Sequence, residues 1–172
     1  GSCAAMLRHH FPALLVDEHE LGQRATALAQ RTYELVTFLT EIRGVSDVDV
    51  DYPCRATYHD ACSGLRELGI RAQPRALLDS VRGLELVELE DTNACCGFGG
   101  TFCVKYPEIS NQILADKVAA IALTGADVVL SGDLGCLINI AGRFSRAGIN
   151  ISVRHVAEIL AGMTEPPPIV GI

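Results

Sequence analysis

The sequence predicts an α/β fold: a parallel sheet of about four strands with helices on both faces, preceded by an N-terminal helical segment. Two observations support this. After residue 53, short apolar segments alternate with segments of helical periodicity, which is the order of parallel strands joined by helical crossovers. At 172 residues, 49% of them hydrophobic, the chain is also long enough to bury a substantial core in one domain.

The N-terminal segment is predicted to be helical. A short first helix is interrupted at Pro12, because proline disrupts a helix interior. Apolar residues at helical spacing then predict helix over residues 18–43, with a break near Tyr33, and Gly44 ends the region. The acidic residues 46–53 are expected to form a loop or a short edge hairpin.

The remainder is predicted to alternate between strands and helices. Strands are expected at residues 55–59, 84–89, 126–131 and 150–153. Helices are expected after the first strand up to Gly69, over residues 73–81 and 107–124, from near Cys136 to about 145, and from His155 to about 160. Gly125 supplies a helix stop, and the proline-rich residues 165–168 are expected to be extended.

Composition excludes several classes of function. The formal net charge is −7 and the basic residues are scattered, so nucleic-acid binding is not expected. No apolar run approaches the roughly 18 residues that span a bilayer, so direct membrane insertion is not expected. Seven cysteines without a secretory signal argue against a secreted disulfide scaffold, and a cytoplasmic location is expected.

The adjacent residues Cys95 and Cys96, followed by Gly97, are the most informative part of the chain. A disulfide between neighbouring cysteines closes a strained ring, so another use is expected. An iron–sulfur site suits the pair, because two thiolates at fixed spacing can reach different irons of one cluster. Glycines then let the backbone approach it closely.

Four cysteines are predicted to share one site. Cys62, the pair Cys95 and Cys96, and Cys136 each follow a predicted strand, and the carboxyl ends of parallel strands lie at one edge of a sheet. Cys62 and Cys136 also precede predicted helices, whose N-terminal dipoles favour the thiolate form. Cys3, Cys54 and Cys103 carry no such signal, and packing or plain exposure explains them.

At these residues the chain resembles the cysteine-rich CCG domain of iron–sulfur oxidoreductases. The spacing is Cys62, 32 residues, Cys95-Cys96-Gly97, 38 residues, then Cys136. Such domains occur in heterodisulfide reductase, in the glycolate oxidase iron–sulfur subunit and in the lactate-utilisation protein A group. The last is the most similar, through residues 58–62, 95–102, 104–110 and 135–137. The likeness extends from the first residues to about Leu160.

The resemblance implies a cofactor and a role. It implies an iron–sulfur cluster of the 4Fe-4S type held by Cys62, Cys95, Cys96 and Cys136. It further implies an electron relay among the subunits of a complex that oxidises L-lactate, or another 2-hydroxy acid, to pyruvate. The chain shows no evident place for hydride chemistry, so it would relay electrons or support its partner subunits.

The chain departs from the family pattern at three positions. Ser63 stands where relatives often have histidine, Cys103 stands where the lactate-utilisation group usually has serine, and the third departure is at the end of the cysteine motif. That pattern usually ends in Cys-x-x-Cys, and here Asn139 stands at its second cysteine, so a five-cysteine site is incomplete. Four thiolates still suffice for a four-iron cluster or a zinc ion. The residues expected around these ligands are His59, Cys103, Asn139 and His155, and Cys103 is either an extra thiol near the site or a substitute ligand.

The family carries two such domains in tandem, and the start of this chain contains a trace of that. Gly1-Ser2-Cys3-Ala4-Ala5-Met6 parallels residues 134–139, in that a small residue and a cysteine precede an apolar helix start. We therefore expect residues 1–45 to be a helical linker with the end of a preceding CCG repeat. Residues 46–172 are then the CCG domain, in a C-terminal fragment of a two-domain protein.

Other interpretations of the cysteines stay open. The same thiolates suit a structural zinc ion that organises loops for partner binding. Cys95 and Cys96 suit a metal-free thiol–disulfide pair, and a metal-free interaction domain of a larger complex is also consistent with the sequence. The site of an isolated fragment is also expected to be empty when its companion domain is missing.

Overall fold

The computed structural model describes residues 1–165 and 167–169, and its sheet is fully parallel. The strands are β1 (Asp51–Tyr58), β2 (Arg82–Val87), β3 (Val128–Ser131) and β4 (Ser152–His155). Their order across the sheet is β2-β1-β3-β4. With helices around this sheet and a helical N-terminal segment, the predicted α/β class is confirmed.

The N-terminal segment is helical, as predicted. It comprises α1 (Ser2–Ala5), a π-helical turn (Met6–His10), α2 (Phe11–Leu14), α3 (His19–Gln30), α4 (Leu35–Thr37) and a second π-helical turn (Phe38–Ile42). The predicted break near Tyr33 is confirmed, because Tyr33 lies between α3 and α4. The predicted interruption at Pro12 is wrong. Residues 2–14 are helical without a gap, and Pro12 lies in the first turn of α2, directly after the π-helical turn.

The helices that connect and follow the strands lie close to the predicted positions. They are a π-helical turn (Ser63–Glu67), α5 (Ala72–Asp79), α6 (Thr101–Lys105), α7 (Pro107–Leu123), α8 (Leu134–Ala147) and α9 (Val156–Leu160). Helix α6 was not predicted, because a single short turn shows no helical periodicity. Judged by length and hydropathy together, no helix within the described residues qualifies as a bilayer span.

The bounds of all four strands differ from prediction. β3 begins two residues later than expected, and β4 lies two residues later. β1 begins at Asp51 instead of residue 55, so part of the predicted loop is strand. This strand tolerates Pro53 because it pairs with β3 only from Ala56 onward, and its pairing with β2 shifts register between Asp51 and Cys54. β2 lies two residues earlier than predicted. Of the expected extended end, Pro166 lies outside the described residues, and the described neighbours form no helix or strand.

The core consists of one apolar layer on each face of the sheet. The layer under α7 and α8 contains Leu114, Ile121, Val129, Leu137, Ile140, Phe144 and Val153. The layer under α5 and α9 contains Ala56, Leu77, Leu78, Val128, Leu130, Val156 and Ile159. All of β3 is buried because both of its faces are covered, as in other parallel sheets.

The strand register aligns the carboxyl ends. Thr57 pairs with Val87, next to the end of β1, and Ser131 pairs with His155 where β3 and β4 both end. The segments that follow β1, β2 and β3 therefore leave the sheet at one edge, and these are the segments that carry the predicted site.

We expect Leu130→Ala to lower the free energy of unfolding by about 2 to 5 kcal/mol, because it deletes a fully buried side chain of the central strand. Chemical denaturation of the reduced chain measures this. Leu123→Ala is the matched control, since Leu123 is 86% exposed at the end of α7 and should change stability by less than about 0.5 kcal/mol. Equal losses in the two variants would contradict the position of the core.

Candidate metal centre

The segment after β1 is held in place by ionic contacts. Asp60 is buried and accepts two hydrogen bonds from the Arg75 guanidinium, at 2.9 and 2.7 Å. Arg75 also donates to both carboxylate oxygens of Glu88 at the end of β2, at 2.6 and 2.9 Å. Bidentate pairs between a guanidinium and a carboxylate fix the relative orientation of the two side chains. The Arg75 bridge therefore ties the segment that carries His59 and Cys62 to the segment that follows β2.

His59 is the first residue beyond β1 and is completely buried. Its backbone N–H donates to the Leu130 carbonyl at 2.8 Å, which continues the ladder between β1 and β3. Neither ring nitrogen has a hydrogen-bond partner among the described residues. Buried polar atoms are nearly always satisfied, so these ring nitrogens point to a ligand-binding role.

The loop that carries Cys95 and Cys96 lies directly against α7. Gly97 has φ +80°, and a Cβ there would lie 2.5 Å from the Ser110 carbonyl oxygen. Only glycine fits this approach. The Ser110 hydroxyl donates to the Gly97 carbonyl at 2.8 Å, and the Asn139 amide donates to the Cys96 carbonyl at 2.9 Å. The loop is thus attached to both α7 and α8.

Cys136 lies in the first turn of α8. Asp133 caps this helix, accepting from the backbone N–H groups of Gly135 and Cys136 at 3.1 and 3.3 Å. The Phe98 ring packs so tightly on Gly135 that a Cβ there would lie 2.5 Å from it. The glycine before Cys136 therefore lets the loop of the cysteine pair dock on α8.

The structure brings the predicted cysteines together and adds a histidine. The donor atoms of His59, Cys96 and Cys136 all lie within 4.8 Å of one another, and all three residues are buried. The thiols of Cys62 and Cys95 interact with each other and are less buried. Cys62 also interacts electrostatically with Cys136. The site thus has an inner group of three donors and an outer pair.

The inner thiols are electrostatically coupled. Hydrogen bonding with Cys136 and proximity to His59 hold the pKa of the Cys96 thiol well below its usual value, in spite of burial. The same contact with Cys96, together with burial, raises the pKa of the Cys136 thiol. The pair therefore favours one thiolate at Cys96 that accepts a hydrogen bond from the neighbouring thiol. Burial raises the pKa of Cys95, although the Gly97 N–H donates to its sulfur at 3.3 Å.

The other residues considered for the site lie outside this group of donor atoms. Asn139 supports the loop through its bond to the Cys96 carbonyl. Cys103 lies on α6, where its thiol donates to the Gly100 carbonyl at 3.0 Å. The His155 ring accepts from the Ala157 N–H at 3.1 Å and caps α9 in a capping box. Cys3 is exposed and Cys54 is half-buried in β1, where burial raises its pKa to about 11.

Two charged features near the site were missed from the sequence. Lys117 is buried on α7, although its position between Leu114 and Val118 on the apolar face was a readable signal. The bridge from Asp60 through Arg75 to Glu88 was not predicted, because those residues are distant in sequence and nothing local indicates their contact.

The donor set suits a soft or borderline metal. Thiolates and imidazole bind zinc, and thiolates are the main ligands of iron–sulfur clusters. The lowered pKa of Cys96 favours the unprotonated thiolate that metal ligation requires, and the buried His59 imidazole lies beside the same thiol. The residues present therefore fit a metal or a cluster at this edge of the sheet.

Comparison with known proteins matches the same region. A model of the CCG cysteine-rich domain family matches residues 56–141. Lactate utilization protein A of Bacillus subtilis (strain 168) is 44% identical over 160 residues, which are 93% of this chain and 67% of that protein. Its counterparts in Shouchella clausii (strain KSM-K16) and Geobacillus thermodenitrificans (strain NG80-2) are each 46% identical, over 93% of this chain and 66% of theirs. The chain thus spans about two thirds of the length of these relatives.

We expect Gly97→Ala to destabilise the chain by about 2 kcal/mol or more, because it combines a left-handed backbone with a clash against α7. Gly148→Ala is the control. Gly148 also has a positive φ, of 65°, in the ordinary left-handed helical region at the end of α8, and a Cβ there would meet no neighbouring residue within 4 Å, so a cost of about 1 kcal/mol is expected. The comparison uses unfolding free energies from denaturant titration, and equal values would contradict the close approach of loop and helix.

Proposed function

Because the chain belongs to the CCG cysteine-rich domain family, we propose that it is an iron–sulfur component that relays electrons in the oxidation of L-lactate, or a related 2-hydroxy acid, to pyruvate. The observation that carries the proposal is the convergence of His59, Cys96 and Cys136 within 4.8 Å, with Cys62 and Cys95 beside them. The similar proteins are named for lactate utilization, which supports the substrate class.

We propose Cys62, Cys95, Cys96 and Cys136 as the ligands of a four-iron cluster. When bound, such a cluster would accept and release single electrons. The contribution of the chain itself is to hold the thiols at one edge of the sheet and to keep water from the inner ones. The lowered pKa of Cys96 favours the thiolate form that ligation requires.

The proposed role also requires partner proteins. Oxidation of lactate to pyruvate releases an electron pair and protons, and a relay must receive those electrons from one subunit and pass them to another. Exposed apolar side chains on the elements that flank the site, among them Val104, Tyr106, Leu134 and Ile138, support such contacts. We propose other subunits of a lactate-oxidising complex, and a preceding CCG domain, as the partners.

We extend the proposal to the organisation of the chain and its compartment. Residues 1–45 would link the domain of residues 46–172 to a preceding repeat, in agreement with their helical structure. A cytoplasmic setting fits the chemistry, because the proposed site needs reduced thiols and reduced thiols persist in that compartment.

A zinc site is the second candidate. The specific observation that favours it is His59, whose imidazole has no hydrogen-bond partner in the described structure and lies beside Cys96 and Cys136. Cysteine and histidine together are characteristic zinc ligands, and a closed site of this kind would organise the three loops for binding a partner.

Anaerobic reconstitution with ferrous iron and sulfide tests the proposal. We expect a brown protein with a visible absorption band and a paramagnetic signal, and we expect Cys95→Ser to lose both because it removes a proposed ligand. Cys54→Ser is the control, since Cys54 lies within β1, outside the thiol group, and should leave the cluster in place. Absorption and electron paramagnetic resonance spectra provide the measurement.

Three other results would contradict the iron–sulfur proposal. A colourless protein with one bound zinc ion by elemental analysis would favour the second candidate. A metal-free protein that reversibly loses two thiols on mild oxidation would identify a thiol–disulfide pair instead. Equal cluster content in the Cys54→Ser and Cys95→Ser variants would remove Cys95 from the ligand set.

A further inference from the structure

Lys117 is a buried cation with no hydrogen bond to balance it. It lies on α7, its side chain is 1% exposed, and its ammonium nitrogen has no hydrogen-bond partner within the described structure. Fully buried lysines are almost always paired, because removing an ammonium from water costs several kcal/mol. A charged Lys117 at this position would be stabilised by a nearby negative charge, which hydrogen bonds in the described residues do not supply.

The face of α7 that carries Lys117 is the face on which the cysteine loop rests. Ser110 donates to the Gly97 carbonyl, and the Leu114 N–H lies under Gly97, 3.2 Å from where a Cβ would be. Lys117 follows at the next position of the same helical face, seven residues after Ser110. Its ammonium is thus on the side of the helix that supports the metal centre.

The charges near Lys117 are Asp91, Cys96, Asp60 and Cys95. Asp91 is exposed, so solvent screens its charge. Asp60 already has a bidentate partner in Arg75. The negative charge that remains available to Lys117 is that of the cysteine pair, which lies at Cys96 in the metal-free chain and would extend to Cys95 once that thiol also bound a metal. Burial lowers the pKa of Lys117, and these neighbouring anions oppose that change.

We propose that Lys117 is the counter-charge of the metal centre, a positioning residue whose ammonium balances the negative charge of the loaded thiolate site. A divalent ion held by four thiolates carries an excess of two negative charges, and a buried excess of that size needs a nearby cation. This inference is based on the proposed function, because it requires that the cysteines hold a metal. It goes beyond that function by giving a role to a residue outside the donor set.

Cobalt(II) titration of the reduced, metal-free 172-residue chain under anaerobic conditions tests the proposal. We expect Lys117→Met to weaken cobalt binding by about 10- to 100-fold, the effect of one nearby charge at intermediate dielectric. The unfolding free energy of the metal-free Lys117→Met chain should stay equal or rise, because methionine fills similar space without an unpaired ammonium. Thiolate-to-cobalt absorption bands report affinity, and denaturant titration reports stability.

Matched variants separate charge from packing. The chain has two lysines, and Lys105, exposed on α6 near the same loop, is the control, since Lys105→Met should change the affinity by less than about twofold because water screens its charge. Lys117→Arg keeps the charge and should retain affinity within about threefold of the original chain. Lys117→Gln provides a second neutral substitution should the methionine variant fold poorly.

Each outcome decides between defined alternatives. If neutral variants at Lys117 bind cobalt as tightly as the original chain, the proposed counter-charge role of Lys117 is overturned. The proposed metal site is not affected by that result. Loss of metal-free stability that accounts for the whole loss of affinity would likewise overturn the counter-charge role, in favour of a packing role. If the original chain binds no cobalt at all, both this inference and the metal site of the proposed function are overturned.

Discussion

The contact between the Gly97 backbone and helix α7 is the constraint on which the candidate site depends. Because there is no room for a Cβ between Gly97 and the Ser110 carbonyl, only glycine lets the loop backbone pack this closely against α7. At this packing distance, the Cys96 carbonyl contacts Asn139 and the Phe98 ring contacts Gly135, both on α8. The cysteine pair is therefore positioned by backbone contacts with two helices, with little dependence on its own side chains.

Charge is the second determinant of this region. A buried group of thiols beside His59 favours negative charge at Cys96, and the interior offers little solvent to stabilise it. Two charged residues near these thiols have different surroundings. Asp60 is neutralised by the Arg75 bridge, which also fixes the segment that carries Cys62. Lys117, by contrast, is buried on α7 and makes no hydrogen bond to any described residue.

The sequence predicted the sheet and the meeting of the cysteines because both follow from local patterns. Apolar strands placed before Cys62, Cys95 and Cys136 are sufficient to bring those residues to one edge. The start of β1 was missed because Pro53 argues against a paired strand, and only the register shift beside β2 makes it acceptable. The closeness of His59 to two thiols depends on contacts between distant elements, which no local pattern contains. The burial of Lys117, by contrast, was readable from its place on the apolar face of α7.

The donors of the site come from three segments that follow β1, β2 and β3, and they lie together only when those strands are in register. Any ion bound there would bind the folded chain and not the separated segments. By thermodynamic linkage, an ion that binds only the folded chain raises the free energy of unfolding of that chain. The stability of the folded chain would then depend on the metal concentration of its surroundings as well as on its apolar core.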